Sequence, residues 1–147
     1  MSGMRALLDI NVLIAILDQD HASHARAIEW FAANAKAKAG WASCPLTQNG
    51  CMRIMSHPSY PNALPIRAIM QRLQEAATSA VHEFWSDDIS LLDDSIADFT
   101  RIHGHRQLTD IYLLALAVRH KGCLVTFDTA IPLAAIKHAK PQNLLVL

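Results

Sequence analysis

Short apolar runs alternate along this chain with longer stretches whose apolar residues recur at helical spacing. The first apolar run covers residues 5–9 and ends in Asp9, and a later run covers residues 123–128 and ends in Asp128. Between them lie longer segments, one of which begins with Asp110 and continues with apolar residues. Short β-rich runs separated by helical segments are typical of a parallel sheet. The pattern therefore predicts an α/β fold with a central parallel sheet.

The same pattern gives the approximate limits of each element. We expect strands at 5–9, 41–44, 81–85, 123–128 and 143–147. We expect helices at 12–17, from 20 or 23 to 39, and at 45–55, 65–77, 93–102 and 110–120. Asn11 and Thr109 have the short polar side chains that cap helix N-termini, so we expect them to begin the first and last of these helices.

The three aspartates suggest a chemistry. Asp9 and Asp128 follow predicted strands and Asp110 opens a predicted helix, so all three are expected at the carboxyl edge of the sheet. Open α/β sheets bind their ligands at that edge. Carboxylates brought together repel one another unless a cation neutralises them, which favours a divalent metal. The pattern predicts metal-dependent cleavage of phosphodiester bonds, with Asp9, Asp110 and Asp128 as metal ligands and catalytic residues.

Two polar residues are expected to support these acids. Asn11 lies two positions after Asp9, where its amide could orient the carboxylate or bind a water on the metal. Thr126 lies two positions before Asp128 and therefore shares its face of the strand. Its hydroxyl could hold a water near the metal or a phosphate oxygen.

The charge balance limits the kind of partner. The 147 residues include 13 Lys and Arg and 13 Asp and Glu, so the formal net charge is 0. Strong nonspecific binding to nucleic acid needs a basic excess, which this chain lacks. An enzyme that holds a short stretch of nucleic acid through a metal and a few arginines remains compatible with this charge.

The composition indicates one domain over residues 1–147, with apolar surface kept for a partner or a second copy. The chain is 52% hydrophobic and 18% charged, which is more apolar than an average soluble domain. No apolar run approaches the roughly 18 residues of a membrane span, and the N-terminus does not read as a signal peptide. Cys44, Cys51 and Cys123 lack CxxC spacing, so we expect buried free thiols in a cytoplasmic protein.

Four blocks of this sequence resemble the PIN-domain ribonucleases, specifically the VapC-type toxins of toxin–antitoxin pairs. The blocks are LLDINVL at 7–13, WASCPLTQNG at 41–50, TDIYLLALA at 109–117 and TFD at 126–128. They occur in the order found in the family. The resemblance implies a three-layer α/β/α sandwich with a central parallel sheet. It also implies RNA cleavage dependent on Mg²⁺ or Mn²⁺, and inhibition by a cognate antitoxin.

Gln48 departs from the family pattern. The position after Leu46 and Thr47 is ordinarily a glutamate, and here it is a neutral amide. Gln48 is still a candidate catalytic residue, because its carbonyl could bind a metal or a water. We expect metal binding to be weaker without that charge.

RNA contacts must come from cations near the acids. Arg53 follows Gln48 on the same predicted helix, and Arg106 lies four residues before Asp110. Both are candidates to contact a backbone phosphate. By analogy with the family, residues 12–35 are a candidate surface for a homodimer or for the antitoxin.

Two other classes of function stay open from the sequence alone. The chain could be a catalytically weakened PIN module that acts by binding RNA or a partner, since Gln48 replaces an acid. The Asp9–Asn11 pair after a strand also resembles phosphatases with an aspartyl nucleophile, although those usually have a second acid in place of Asn11. A response-regulator receiver would need an acidic pair before its first helix, and only one acid is present there.

Overall fold

The computed structural model describes residues 3–147. Five strands run at β1 Ala6–Leu8, β2 Trp41–Ser43, β3 His82–Phe84, β4 Cys123–Thr126 and β5 Leu144–Val146. The α-helices run at α1 Ile10–Leu17, α2 His24–Lys36, α3 Pro45–Met55, α4 Ile66–Ala77 and α5 Leu108–Arg119. Short 3₁₀ helices run at Phe99–Arg101, His105–Gln107, Leu133–Ala135 and Pro141–Asn143.

The strands form one parallel sheet in the order β3-β2-β1-β4-β5. β1 lies at the centre, where Leu7 pairs with Ala42 of β2 on one side and with Leu124 of β4 on the other. All four strand pairs are parallel, so the carboxyl ends of the strands meet at one edge. The predicted parallel sheet is confirmed.

Both faces of the sheet are covered. Successive side chains of a strand point to opposite faces, and β1 divides accordingly. Leu7 packs into a core built largely by α5, whereas Ala6 and Leu8 pack into a second core with α1 and α3. Parallel sheets are characteristically covered by helices in this way. The expected three-layer α/β/α sandwich is therefore confirmed.

The predicted helix at 93–102 is wrong. Residues 94–96 form a turn, Ala97 forms an isolated bridge with Ile136, and Phe99–Arg101 form a short 3₁₀ helix. The side chain of Asp93 accepts a hydrogen bond from the backbone N–H of Ser95. Asp98 does the same for Thr100. Such local side-chain bonds offer the backbone an alternative to the helix, and here they take its place.

Both predicted helix caps are also displaced. Asp9, and not Asn11, is the N-cap of α1, and its Oδ1 accepts a hydrogen bond from the N–H of Ile10 at 2.7 Å. Asn11 therefore lies inside the first turn. Helix α5 begins at Leu108, so Thr109 is already helical and caps nothing. In each case the helix begins earlier than predicted, so Asp9 becomes the cap of α1 and Asp110 becomes the third residue of α5.

Part of the proposed docking surface at 12–35 is buried. Residues 12–15 of α1 lie in the core, so they are not available to a partner, and this part of the expectation is wrong. In α2 only Ala27 is buried, and Ile28 is exposed. No helix within residues 3–147 is long and apolar enough to cross a membrane.

Gly122, between α5 and β4, has no room for a side chain. A Cβ there would lie 2.5 Å from the backbone oxygen of Arg5 and 2.8 Å from the ring of Trp85. Because a backbone atom cannot move aside cheaply, Gly122→Ala should destabilise the fold by about 1–3 kcal/mol, the usual cost of overpacking. Denaturant unfolding measures this. Gly104→Ala is the control, since no atom lies within 4 Å of its added Cβ; equal stability of the two variants would contradict the expectation.

Candidate active site

Asp9 is fixed at the carboxyl end of the central strand. Its side chain is only 5% exposed. Its backbone N–H donates to the carbonyl oxygen of Val125 at 2.9 Å, which ties it to β4. Its Oδ1 caps α1, and its Oδ2 accepts a hydrogen bond from the hydroxyl of Thr126 at 2.7 Å. Burial nevertheless dominates these bonds and raises the pKa of Asp9 above its ordinary value.

Thr126 joins two of the three predicted acids. Its fully buried hydroxyl donates to Asp9 and accepts a hydrogen bond from the backbone N–H of Asp128 at 3.0 Å. One side chain therefore sets the distance between the end of β1 and the segment after β4. The expectation that this hydroxyl binds a phosphate oxygen is wrong, because it is buried and occupied. Thr126 instead positions Asp9 and Asp128.

Asp110 lies in the first turn of α5, and Asp9 and Asp128 are close enough to affect its ionisation. Its pKa rises from the ordinary 3.8 to about 7 because of burial, then the negative charge of Asp9, then that of Asp128. A helix N-terminus favours the charged form of a carboxylate. Burial and repulsion are stronger here. The structure thus brings Asp9, Asp110 and Asp128 together as one acidic cluster.

The acidic cluster fits a metal that needs few protein ligands. Within residues 3–147, no three or more His, Cys, Asp or Glu side chains are grouped closely enough to hold a metal ion. Mg²⁺ does not need such a cage, because one or two carboxylates typically hold it together with waters and substrate phosphate. Besides burial, which is the largest cause, the negative charges of Asp9 and Asp128 raise the pKa of Asp110. Oxygen donors and excess negative charge are what a hard divalent cation requires.

Unlike Thr126, Gln48 forms its side-chain hydrogen bond with a residue outside the acidic cluster. It lies half-buried on α3, and its Nε2 donates to the hydroxyl of Ser43 at 2.9 Å. That hydroxyl is 2.8 Å from Nε2 of His82. These bonds direct the amide toward β2 and β3. The catalytic role of Gln48 remains a prediction without support from its contacts.

The two predicted RNA-binding arginines are free to bind an anion. Arg53 is exposed on α3, and Arg106 is exposed in the 3₁₀ turn before α5. Neither forms an ion pair among the residues that the structure describes. Asn11 is exposed in the first turn of α1, two residues beyond Asp9. The phosphate contacts of Arg53 and Arg106 and the supporting role of Asn11 remain predictions.

Arg26 is a further cation near the site that the sequence pattern does not mark. It lies on α2, and its guanidinium carbon is 4.8 Å from the ring centre of Phe127. Phe127 lies between Thr126 and Asp128, so the contact brings a positive charge beside the segment that carries the acid. No spacing along the chain relates Arg26 to Phe127. Only the tertiary packing of α2 against the sheet reveals it.

The raised pKa of Asp110 makes a prediction about stability in the absence of metal. Between about pH 4 and pH 7 the folded protein keeps a proton on Asp110 that the unfolded chain has released. Folding therefore binds a proton in this range, and the contribution of Asp110 to stability should fall as the pH rises. Thermal unfolding of the metal-free protein and of Asp110→Asn across this range measures that contribution as a difference.

The comparison of the two proteins is needed because the titration of His82 also contributes to the pH dependence of stability. Burial lowers the pKa of His82 from 6.5, so its contribution to stability has the opposite sign and is common to both proteins. The stability of Asp110→Asn relative to the parent should increase from pH 4 to pH 8. A constant difference would show that Asp110 is not perturbed in the folded protein.

Comparison with known proteins gives the family. The PIN domain family matches residues 6–137. The chain is 47% identical over 144 residues to ribonuclease VapC44 of Mycobacterium tuberculosis, which covers 98% of this chain and 100% of that protein. It is 42% identical over 144 residues to ribonuclease VapC38 of the same organism, covering 97% and 99% of the two chains. With ribonuclease VapC39 the identity is 43% over 129 residues, covering 87% and 91%.

The chain belongs to the PIN-domain family and, within it, to the VapC-type ribonucleases, the toxins of toxin–antitoxin pairs. The resemblance carried by the four sequence blocks is therefore confirmed. The phosphatase and receiver alternatives are excluded by this membership.

Proposed function

We propose that this protein is an endoribonuclease that cuts RNA phosphodiester bonds with Mg²⁺ or Mn²⁺, and that it acts as the toxin of a toxin–antitoxin pair in the cytoplasm. The observation that carries the proposal is the cluster of Asp9, Asp110 and Asp128, in which the pKa of Asp110 is raised to about 7. Its similarity to proteins named ribonuclease VapC supports the reaction class.

Each residue of the cluster has a distinct part. A bound divalent metal would make a water nucleophilic and neutralise the anionic transition state. Asp9 is held rigidly by Thr126 and by the start of α1, so it supplies a fixed ligand. Asp128 is exposed and Asp110 is half-buried, so both can adjust to the metal and to a substrate phosphate.

Substrate binding should depend on few contacts. The net charge of 0 provides no general attraction to RNA. Arg53 and Arg106 are exposed and without ion pairs among the described residues, so they are the proposed phosphate contacts. A cognate antitoxin and a second copy of the chain are the proposed protein partners, with the exposed side of α2 around Ile28 as part of the contact surface.

The second candidate is a PIN module with weakened catalysis that binds RNA or a partner. The observation that favours it is Gln48, a neutral amide bonded to Ser43 where the family ordinarily has a glutamate. The two candidates differ in whether bound RNA is cut.

The test is incubation of end-labelled cellular RNA with purified protein, in Mg²⁺ or Mn²⁺ and in EDTA. We expect discrete products that require the metal and that are absent with Asp9→Asn protein purified identically. Binding of RNA without any product, by folded protein at high metal concentration, would reject the nuclease and favour the binding module.

A further inference from the structure

A hydrogen-bond network on one face of the sheet joins α3 to β2 and β3. Nε2 of Gln48 donates to the hydroxyl of Ser43 at 2.9 Å, and that hydroxyl is 2.8 Å from Nε2 of His82. Ser43 is only 2% exposed, so its hydroxyl is shielded from water. The ring of His82 is held in turn by Trp41, whose ring centre lies 4.4 Å away. We call Gln48, Ser43 and His82 the Gln48 network.

The Gln48 network reaches the same carboxyl edge of the sheet as the acidic cluster. Ser43 is the last residue of β2, and the register of the two strands places it level with Leu8, the residue before Asp9. Neighbouring strands are about 4.8 Å apart. Gln48 is the fourth residue of α3, which leaves this edge directly after β2. Its amide is therefore held one strand away from the strand that ends in Asp9.

The order of donors in the Gln48 network fixes where each hydrogen lies. An amide NH₂ group only donates, so the Ser43 hydroxyl accepts from Gln48 and has its own hydrogen left for His82. Nε2 of His82 is therefore an acceptor, and the proton of the neutral ring is on Nδ1. Burial favours this neutral ring by lowering the pKa of His82 from its ordinary 6.5, and the backbone carbonyl of Ala77 accepts a hydrogen bond from the ring.

The same order of donors decides which atom of Gln48 is free. Because Nε2 is bonded to Ser43, Oε1 is the unbound end of the amide. Among residues 3–147 this oxygen has no hydrogen-bond partner, and it is not buried. An amide oxygen accepts hydrogen bonds, including those of water bound to a metal. Gln48 thus presents an acceptor, and not a donor, at the edge of the sheet.

We propose that Ser43 and His82 are positioning residues for the reaction: neutral His82 takes the hydrogen of the Ser43 hydroxyl, Ser43 must then accept from Gln48, and the amide oxygen of Gln48 is left to accept from the water shell of a metal at the acidic cluster. The network explains how an amide serves where the family ordinarily has a glutamate, since only an amide can donate to Ser43 in this way. The role in the reaction rests on the proposed function. The positions of the hydrogens within the Gln48 network do not depend on it.

The first experiment locates the hydrogens with neither metal nor RNA present. NMR of nitrogen-labelled histidine rings at pH 8, with His82 assigned by the loss of its signals in His82→Gln, should show the neutral ring protonated on Nδ1. A proton on Nε2 of His82 would overturn the inference, because the Ser43 hydroxyl would then be free to donate to the amide oxygen of Gln48.

The second experiment reverses the donors. A carboxylate only accepts, so in Gln48→Glu the Ser43 hydroxyl must donate to residue 48 and accept from His82. The pKa of His82 should therefore rise by about one pH unit or more, and this rise should shrink when Ser43→Ala is added. A rise that is the same without the Ser43 hydroxyl would overturn the inference, because the new charge would then act directly through space.

Gln74→Glu is the matched control for the added charge. Gln74 lines the same groove between α3 and α4 as Gln48 but has no hydrogen bond to Ser43 among the described residues. It should raise the pKa of His82 less than Gln48→Glu does, and an equal rise would contradict transmission through Ser43. The charges of Arg5 and Glu83 also act on His82, with opposite signs, and are the same in every variant.

The third experiment tests the positioning role. Loss of a group that orients a metal site typically costs 10–100-fold, so Ser43→Ala should bind Mn²⁺ about tenfold more weakly in calorimetric titration. Ser59→Ala is the matched control, because it removes a hydroxyl bonded to His57 at the surface, and it should bind Mn²⁺ as the parent does. In a Gln48→Ala background the effect of Ser43→Ala should disappear, since Ser43 acts through Gln48. Parental affinity in Ser43→Ala, or an undiminished loss in that background, would overturn the inference.

The experiments separate the inference from the proposed function. If the parent protein cuts no RNA, the proposed function fails, and NMR still decides the order of donors in the Gln48 network. If the parent cuts RNA and Ser43→Ala does so at the parental rate, the proposed function stands and the positioning role is wrong. Thermal unfolding of each variant confirms that the fold is intact.

Discussion

Asp110→Asn should abolish RNA cleavage while making the metal-free protein more stable at neutral pH. Loss of residues that only support a metal ligand typically costs 10–100-fold, so loss of a proposed ligand should cost at least about 100-fold in cleavage rate. The same change removes a half-buried charge that Asp9 and Asp128 repel. A loss of activity together with a gain in stability is the expected result for a carboxylate that serves the reaction and not the fold.

Two measurements on the same preparation check this expectation. Single-turnover cleavage of a labelled RNA gives the activity, and thermal unfolding at pH 8 in EDTA gives the stability. Addition of Mn²⁺ should raise the melting temperature of the parent more than that of Asp110→Asn, because only the parent has the complete cluster. A variant that is both inactive and less stable would indicate that Asp110 supports the fold and not the chemistry.

Thr126→Val should lower both activity and stability. The substitution keeps the size of the side chain but removes the hydroxyl that donates to Asp9 and accepts from the N–H of Asp128. An unsatisfied buried group costs about 1–3 kcal/mol, and a lost partner of a metal ligand costs about 10–100-fold in metal affinity or activity. Denaturant unfolding and Mn²⁺ titration measure the two effects.

Thr126→Ser provides the control for this prediction. Serine keeps the hydroxyl and loses only the methyl group, so it should retain most of the metal affinity despite a small packing defect. If valine and serine were equally damaging, the methyl group and not the hydroxyl would be responsible. That result would remove Thr126 from the arrangement that positions Asp9.

The acidic cluster was predictable because its position follows from strand ends. Asp9 and Asp128 each come just after a short apolar run, and parallel strands bring such ends to one edge regardless of the details of packing. The buried helix α5 then places Asp110 over the same edge. The connection through Thr126 was only partly predictable, because its place on the strand is visible in the sequence and its buried bond to Asp9 is not.

Other features depend on which direction a side chain takes from its helix, or on which local hydrogen bonds form in place of a helix. The direction of the Gln48 side chain is fixed by its hydrogen bond to the hydroxyl of Ser43, a contact that the spacing of residues along the chain does not reveal. The missing helix at 93–102 depends on which hydrogen bonds Asp93 and Asp98 form, and a helical period in the sequence does not distinguish these choices. A repeat of apolar residues therefore predicted the layers of the fold better than it predicted the direction of individual side chains.

The most direct test of the acidic cluster as a metal-dependent RNA-cleaving site is cleavage of a circular RNA by metal-stripped protein, before and after Mn²⁺ is restored. A circle has no ends, so only an endonuclease can open it. We predict no cleavage before addition, linear RNA after addition, and no linear RNA at any Mn²⁺ concentration with Asp110→Asn. Cleavage by the stripped protein, or equal cleavage by Asp110→Asn, would contradict the assignment of the reaction to Asp9, Asp110 and Asp128.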